Sequence, residues 1–187
     1  MCIRHHNRRL LHVAALAAGV ALLGAMALPA YATTASWRSL FPPATAYPRG
    51  THLLPVQTAT RASALVDPAT ALQVAHLGFV AGGIQYATLP RYAVASVTVL
   101  SFRLPRGAAT FLRQDHPTEL ANPATPGTAV ALGDGARYVA GACASCGPGA
   151  APLGILILRR GTAVVQILTQ PTNYDLALRL GHATLHR

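Results

Sequence analysis

The chain has 187 residues, 52% of them hydrophobic, with 15 arginines, no lysine and five acids, for a formal charge of +10. That much apolar material excludes an intrinsically disordered chain and suffices for one core without a dense disulfide framework. With so few acids, paired-carboxylate catalysis has little to build on.

The start reads as an export signal. Arg4, Arg8 and Arg9 form a basic head, residues 13–28 are continuously apolar, and Pro29-Ala30-Tyr31-Ala32 supplies a small-x-small exit. These are the three parts of a secretory signal. The expectation is therefore a signal peptide at residues 1–32, cleaved after Ala32, and a secreted, extracytoplasmic product. The apolar run is shorter than the roughly 20 residues a membrane span needs. A retained anchor is the lesser alternative, and no stable membrane span is expected after processing. Cys2 precedes the run, at the wrong end for a lipid-modified cysteine. Cleavage leaves 187 − 32 = 155 residues, one ordinary domain, with 12 arginines against five acids, or +7.

Residues 33–60 hold Phe41-Pro42-Pro43, Tyr47-Pro48 and Leu54-Pro55, a proline spacing that predicts an extended leader. Trp37 and Phe41 either pin it to the domain or leave it mobile. The domain proper is expected over 61–187. Its first helix is well punctuated: Asp67 as cap, Pro68 in the first turn, Gly78 as stop. Ala71, Leu72, Val74, Ala75 and Leu77 make its apolar stripe. A strand over 79–88 follows, with Gly82-Gly83 predicting a bulge or a close backbone approach. Leu89-Pro90-Arg91 reads as a turn into a strongly alternating strand over 93–102, with Val97 and Val99 on one side.

A short helix over 106–115 groups Ala108, Phe111 and Leu112, and Pro117 ends it. Residues 122–127 read as loop and 136–140 as a third strand. The apolar runs 153–158 and 163–168 flank Arg159-Arg160-Gly161-Thr162 as a β-hairpin. Thr172-Asn173-Tyr174-Asp175 opens a last helix as a capping box, with Leu176, Leu180 and Ala183 facing one way. The order predicts an α+β domain: an antiparallel sheet of about five strands with helices packed on it.

The segment Val97-Thr98-Val99-Leu100-Ser101-Phe102, followed by Gly107-Ala108-Ala109-Thr110-Phe111-Leu112, resembles the strand-then-helix core of exported PsbP-like sandwich domains. Such domains occur in bacterial surface lipoproteins and in extracytoplasmic sensor modules of receptor kinases. Neither a lipid-attachment cysteine nor a kinase portion accompanies the pattern in these residues, and no functional residue carries over. The resemblance implies a binding or scaffold role.

Cys143 and Cys146, in Gly-Ala-Cys-Ala-Ser-Cys-Gly-Pro-Gly, are the sole cysteines after the leader. Export favours a disulfide between them, and two intervening residues can be bridged. Gly147-Pro148-Gly149 forbids the helix that would activate a redox thiolate, and a zinc ribbon lacks its second ligand pair. His182 and His186 stand four apart, a spacing that can bind metal, but without a third ligand nearby; dipole-favoured histidines at a helix end are the plainer reading. His52, His76 and His116 are isolated. No Gly-x-Ser-x-Gly turn is present, and Asp115, His116 and Glu119 read as surface polarity.

The favoured function is thus a non-enzymatic ligand-binding, sensor-like or structural envelope domain with no cofactor. An apolar pocket between sheet and helices, with Tyr86, Tyr92 or Tyr138 at its mouth, would be the natural ligand site, although core or strand-surface packing is the plainer reading of those tyrosines. Competing readings are a thiol–disulfide protein using Cys143 and Cys146, or an electrostatic binder of an anionic cell-surface polymer or lipid. A small apolar ligand is the other partner expected; nucleic acid is not.

Overall fold

Local sequence signals set the helices of this protein, and non-local pairing sets its sheet. The computed structural model describes residues 36–114, 119, 120, 122 and 127–186. The leader, Asp115, His116 and most of the loop at 122–127 lie outside them. Thr34–Arg187 forms one compact unit.

Helix α1 (Pro68–His76) starts where Asp67 Oδ1 accepts from the amides of Ala69 (3.0 Å) and Thr70 (3.2 Å). Gly78, at φ +86°, turns the chain out of it, as a glycine after a last turn does. Thr70, Ala71 and Val74 face inward, whereas Leu72, expected in the apolar stripe, is exposed. Helix α2 (Pro105–Gln114) buries Gly107, Ala108 and Phe111. Helix α3 (Tyr174–Leu185) is capped by Asn173, whose Oδ1 accepts from Leu176 at 2.9 Å, one residue inside the expected box. Its buried face is Leu176, Ala177, Leu180, Gly181 and Thr184.

Among the described residues the sheet has eight strands, three more than expected: β1 (His52–Leu53), β2 (Gln57–Ala59), β3 (Phe79–Thr88), β4 (Val94–Phe102), β5 (Thr128–Val130), β6 (Ala136–Gly141), β7 (Leu153–Arg160) and β8 (Ala163–Gln170). The additions β1, β2 and β5 are two or three residues long, too short to display an alternating pattern. The order is β1-β3-β4-β8-β7-β6-β5, with β2 also on β3, and every pairing is antiparallel. Two hairpins, β3–β4 and β7–β8, thus join through β4 and β8.

Gly82 and Gly83 are a close approach. A methyl group on Gly82 would overlap the Val99 carbonyl oxygen, and one on Gly83 would lie 2.9 Å from that of Gln57. The register shift in β3 falls just before them, between Phe79 and Ala81. Arg91 carries the turn into β4 at φ 62°, a left-handed conformation that strains a residue with a Cβ.

Alternation divides the sheet into two faces. The first presents Val97, Val99, Val165, Ile167, Leu156 and Leu158 to α3 and to the 3₁₀ turns Trp37–Leu40 and Ala44–Ala46. Phe41 and Tyr47 are buried there, so the proline-rich stretch is pinned to the domain. The second presents Leu100, Phe102, Val164 and Ile157 to α1, α2 and the turn Ala62–Ala64. Each fully buried aliphatic side chain contributes roughly 1.5–3 kcal/mol, so these two layers hold the sheet.

Candidate functional site

On β3, β4 and β8 the second face is closed at one end only, among the described residues. Along β4 its residues run Phe102 and Leu100, both buried, then Thr98, then half-buried Ser96 and exposed Val94. The same change occurs on β3, from buried Ile84 to exposed Tyr86, and on β8, from buried Val164 to half-buried Gln166 and Leu168. Where the residues turn polar, the helices stop covering them.

A cleft of about 420 Å³ opens at that end. Register builds its floor: Tyr86 stands opposite Ser96, Ile84 opposite Thr98, Thr98 opposite Gln166 and Ser96 opposite Leu168. One wall is residues 63–67, ending in the α1 cap Asp67; the other carries Glu119. Thr98 is only 7% exposed, and its hydroxyl makes no hydrogen bond among the described residues. Among the described residues, no arginine, lysine or histidine lines the cleft.

The disulfide braces the Glu119 wall. Cys143 and Cys146 are joined, with Cα atoms 5.5 Å apart. Cys143 bridges to Leu120, and the Ala144 amide donates to the Glu119 carbonyl at 2.8 Å. On the far side of the loop, Gln170 Nε2 donates to the Ala151 carbonyl (2.9 Å) and lies 3.4 Å from Cys146 Sγ. Cys143 sits in no helix, so the backbone donors that lower a thiol's pKa at a helix start are missing.

Of the tyrosines expected at one pocket mouth, Tyr86 and Tyr138 lie on opposite faces of the sheet. Tyr86 lines the cleft. Tyr138 pairs with Leu156 and so belongs to the first face. It meets Tyr174 edge-on at 4.8 Å and lies over Gly154, where a methyl group would overlap its Oη. Burial, and then the charge on Tyr174, push the Tyr138 pKa up. Tyr92 ends the turn Pro90–Tyr92 between β3 and β4. Tyr47 was not singled out from sequence, yet its Oη is buried without a partner among the described residues, and burial pushes its pKa up to about 12.

The cleft is also more polar than the apolar pocket expected. Thr98, Ser96 and Gln166 were missed, although β4 carried the signal. Its second-face residues change from Phe102 and Leu100 to Thr98 and Ser96, while the first face stays apolar.

Other candidates stay apart. His182 and His186 stack 6.2 Å apart at the end of α3, and no group of three metal-ligating side chains exists among the described residues. The arginines do not form one field. Arg103 and Arg106 line a separate cleft of about 370 Å³ with His76, and Arg38 and Arg61 another of about 430 Å³ beside Trp37. Arg159 bonds the Asp134 carbonyl at 3.0 Å, and Arg160 bonds that of Thr184 at 3.0 Å, so that pair serves the hairpin. No described helix is long and apolar enough to cross a membrane.

No family model and no curated protein matches the chain, so the PsbP-like resemblance has no family match behind it. Among solved structures, the extracellular domain of PknH from Mycobacterium tuberculosis is similar at 11% identity and a TM-score of 0.47. The similarity covers 73% of this chain and 83% of that one.

Proposed function

We propose that this chain is an exported, non-enzymatic binding domain that takes a small ligand in the cleft on the second face. One observation carries the reading: among the described residues, one end of the second face on β3, β4 and β8 opens into a cleft that carries hydrogen-bonding side chains. Its volume of about 420 Å³ falls within the roughly 300–1,000 Å³ typical of ligand sites. The basic-apolar leader and the Cys143–Cys146 bond suit an oxidising compartment outside the cytoplasm. The thiol–disulfide alternative has less support, because no helix begins at Cys143. Electrostatic attachment has less too, because the arginines are dispersed.

The test is thermal stabilisation by three probe classes, a neutral saccharide, a fatty acid and a polyanion. Each is added to the wild type and to Ser96→Trp, which fills the floor. Binding to the folded state alone raises stability by about 2.7 kcal/mol at a hundredfold excess over Kd. One class is expected to raise the Tm of the wild type and not of the variant. No stabilisation by any class, or equal stabilisation of both proteins, would overturn the reading.

A further inference from the structure

We infer that a second cleft, between the end of α1 and the start of α2, binds a phosphate group. The inference does not depend on the second-face cleft holding a ligand. Asp67, on the wall of that first cleft, caps one end of α1, and His76 closes the other, so the two clefts lie at opposite ends of one helix. Two glycines bring the second cleft together. Gly78, at φ +86°, turns the chain out of α1, and its carbonyl accepts from the Arg103 amide at 2.8 Å. Gly107 lets the first turn of α2 lie against the Leu77 carbonyl, which a methyl group there would overlap. His76 on α1 and Arg103 and Arg106 at the junction of β4 and α2 thereby line one cavity of about 370 Å³.

Dispersed as the arginines are overall, some of them gather here. Arg106, Thr110 and Arg113 recur at helical spacing along one side of α2, and Arg103 stands just ahead of that helix. Arg113 Nη2 donates to Thr110 Oγ1 at 3.1 Å, which leaves Thr110 its own O–H to donate. Arg103 and Arg106 are exposed, and neither side chain makes a hydrogen bond or an ion pair among the described residues. Among those residues no acid lines the cavity. Asp67 and Glu119 belong to the other cleft, and Asp134 faces Arg159 at 3.7 Å.

The cavity therefore offers two guanidinium groups, an imidazole and a hydroxyl as donors, with no carboxylate among the described residues to neutralise them. A carboxylate ligand presents its oxygens in one plane, and a single guanidinium fork satisfies it. A phosphate group presents its oxygens tetrahedrally and can take a fork from each arginine. The number and kind of donors, and not positive charge alone, thus select phosphate. The cavity is larger than the group itself, so the phosphate is either free or carried on a larger molecule such as a lipid headgroup.

The experiment titrates the isotopically labelled exported chain at constant ionic strength and follows its amides by NMR. The soluble probes are inorganic phosphate, glycerol 3-phosphate and, for comparison, acetate. Vesicles of phosphatidylglycerol or of phosphatidylcholine are tested in parallel by co-sedimentation. A soluble phosphate is expected to shift the amides of Gly78, Arg106 and Gly107, with acetate roughly tenfold weaker or more. Arg103→Gln with Arg106→Gln should weaken that binding roughly tenfold or more with the Tm unchanged. Arg49→Gln removes a charge beside Pro90, toward the far end of β3, and should leave binding within about twofold. Arg103→Lys with Arg106→Lys keeps the charge without the forks and should recover only part of the affinity. Equal shifts by acetate, full recovery by the lysines, or an equal loss in Arg49→Gln would reduce the site to a diffuse positive field and overturn the inference. Phosphatidylglycerol vesicles bound through Arg103 and Arg106 while both soluble phosphates fail would support it and identify a lipid headgroup as the source. If neither soluble phosphate nor either vesicle binds, the assignment fails.

Discussion

The two faces of the sheet are built from alternate residues of the same strands, yet among the described residues β3, β4 and β8 are covered along the first face and only toward one end of the second. The first face is mostly apolar under α3 and two 3₁₀ turns, and among the described residues its misfits are oxygens trapped inside, on Tyr47, Tyr138 and Gln85. The second is buried along β6 and β7 but turns polar toward one end of β3, β4 and β8, where Thr98 lines an opening. An unmatched hydroxyl inside a sealed layer is a burden on stability alone. The same group at the bottom of a cleft is available to a ligand.

The sharpest break would come from the covered half of the second face. Phe111 is fully buried and packs against Phe102 with ring centroids 5.9 Å apart. Phe111→Ala should cost about 3–5 kcal/mol by denaturant unfolding. Leu180→Ala, in the closed face, should cost a comparable 2–5 kcal/mol. A Phe111→Ala loss below about 1 kcal/mol would mean that α2 does not close this end, and the contrast between covered and open halves would fail.

Alkaline pH probes the closed face. Burial pushes the Tyr47 pKa up to about 12, against about 10 for a free phenol. The unfolded chain therefore gives up this proton first. The neutral phenol's contribution is whole below pH 10 and is lost as pH rises through 12. Two units correspond to roughly 3 kcal/mol. Unfolding midpoints measured from pH 9 to 12 should fall for the wild type and fall less for Tyr47→Phe. Identical alkaline limbs would show that this hydroxyl is not sealed in.

These faces were only partly legible in the sequence. Asp67, Pro68 and Gly78 announce α1 because capping is a contact between residues two or three apart, and the hairpin around Gly161 is equally local. The strands β1, β2 and β5 are not legible, since two or three residues have no period and acquire a partner only once β3 and β6 are in place. The same non-locality scattered the tyrosines. Tyr86 and Tyr138 are alike as residues, and only the chain of registers from β3 through β4, β8 and β7 to β6 puts them on opposite faces. The disulfide was legible from export and spacing; its role as a brace on the Glu119 wall depends on the Leu120 bridge across 22 residues of intervening chain.

The smallest expected effect separates the halves of the second face most cleanly. Thr98→Val keeps the β-branched shape that suits the centre of β4 and replaces a hydroxyl that bonds nothing among the described residues. Where a buried hydroxyl has a partner, removing it costs about 1 kcal/mol. Here the change in unfolding free energy should lie within about 0.5 kcal/mol of zero or favour the variant, because a methyl group costs less to bury than an unbonded hydroxyl. A residue neutral for folding at the middle of the sheet, beside positions where truncation costs several kcal/mol, is held there by something other than the fold. A loss near 1 kcal/mol or more would reveal an internal partner for the hydroxyl. Thr98 would then belong to the closed half, and the polar floor would shrink to Ser96, Tyr86 and Gln166.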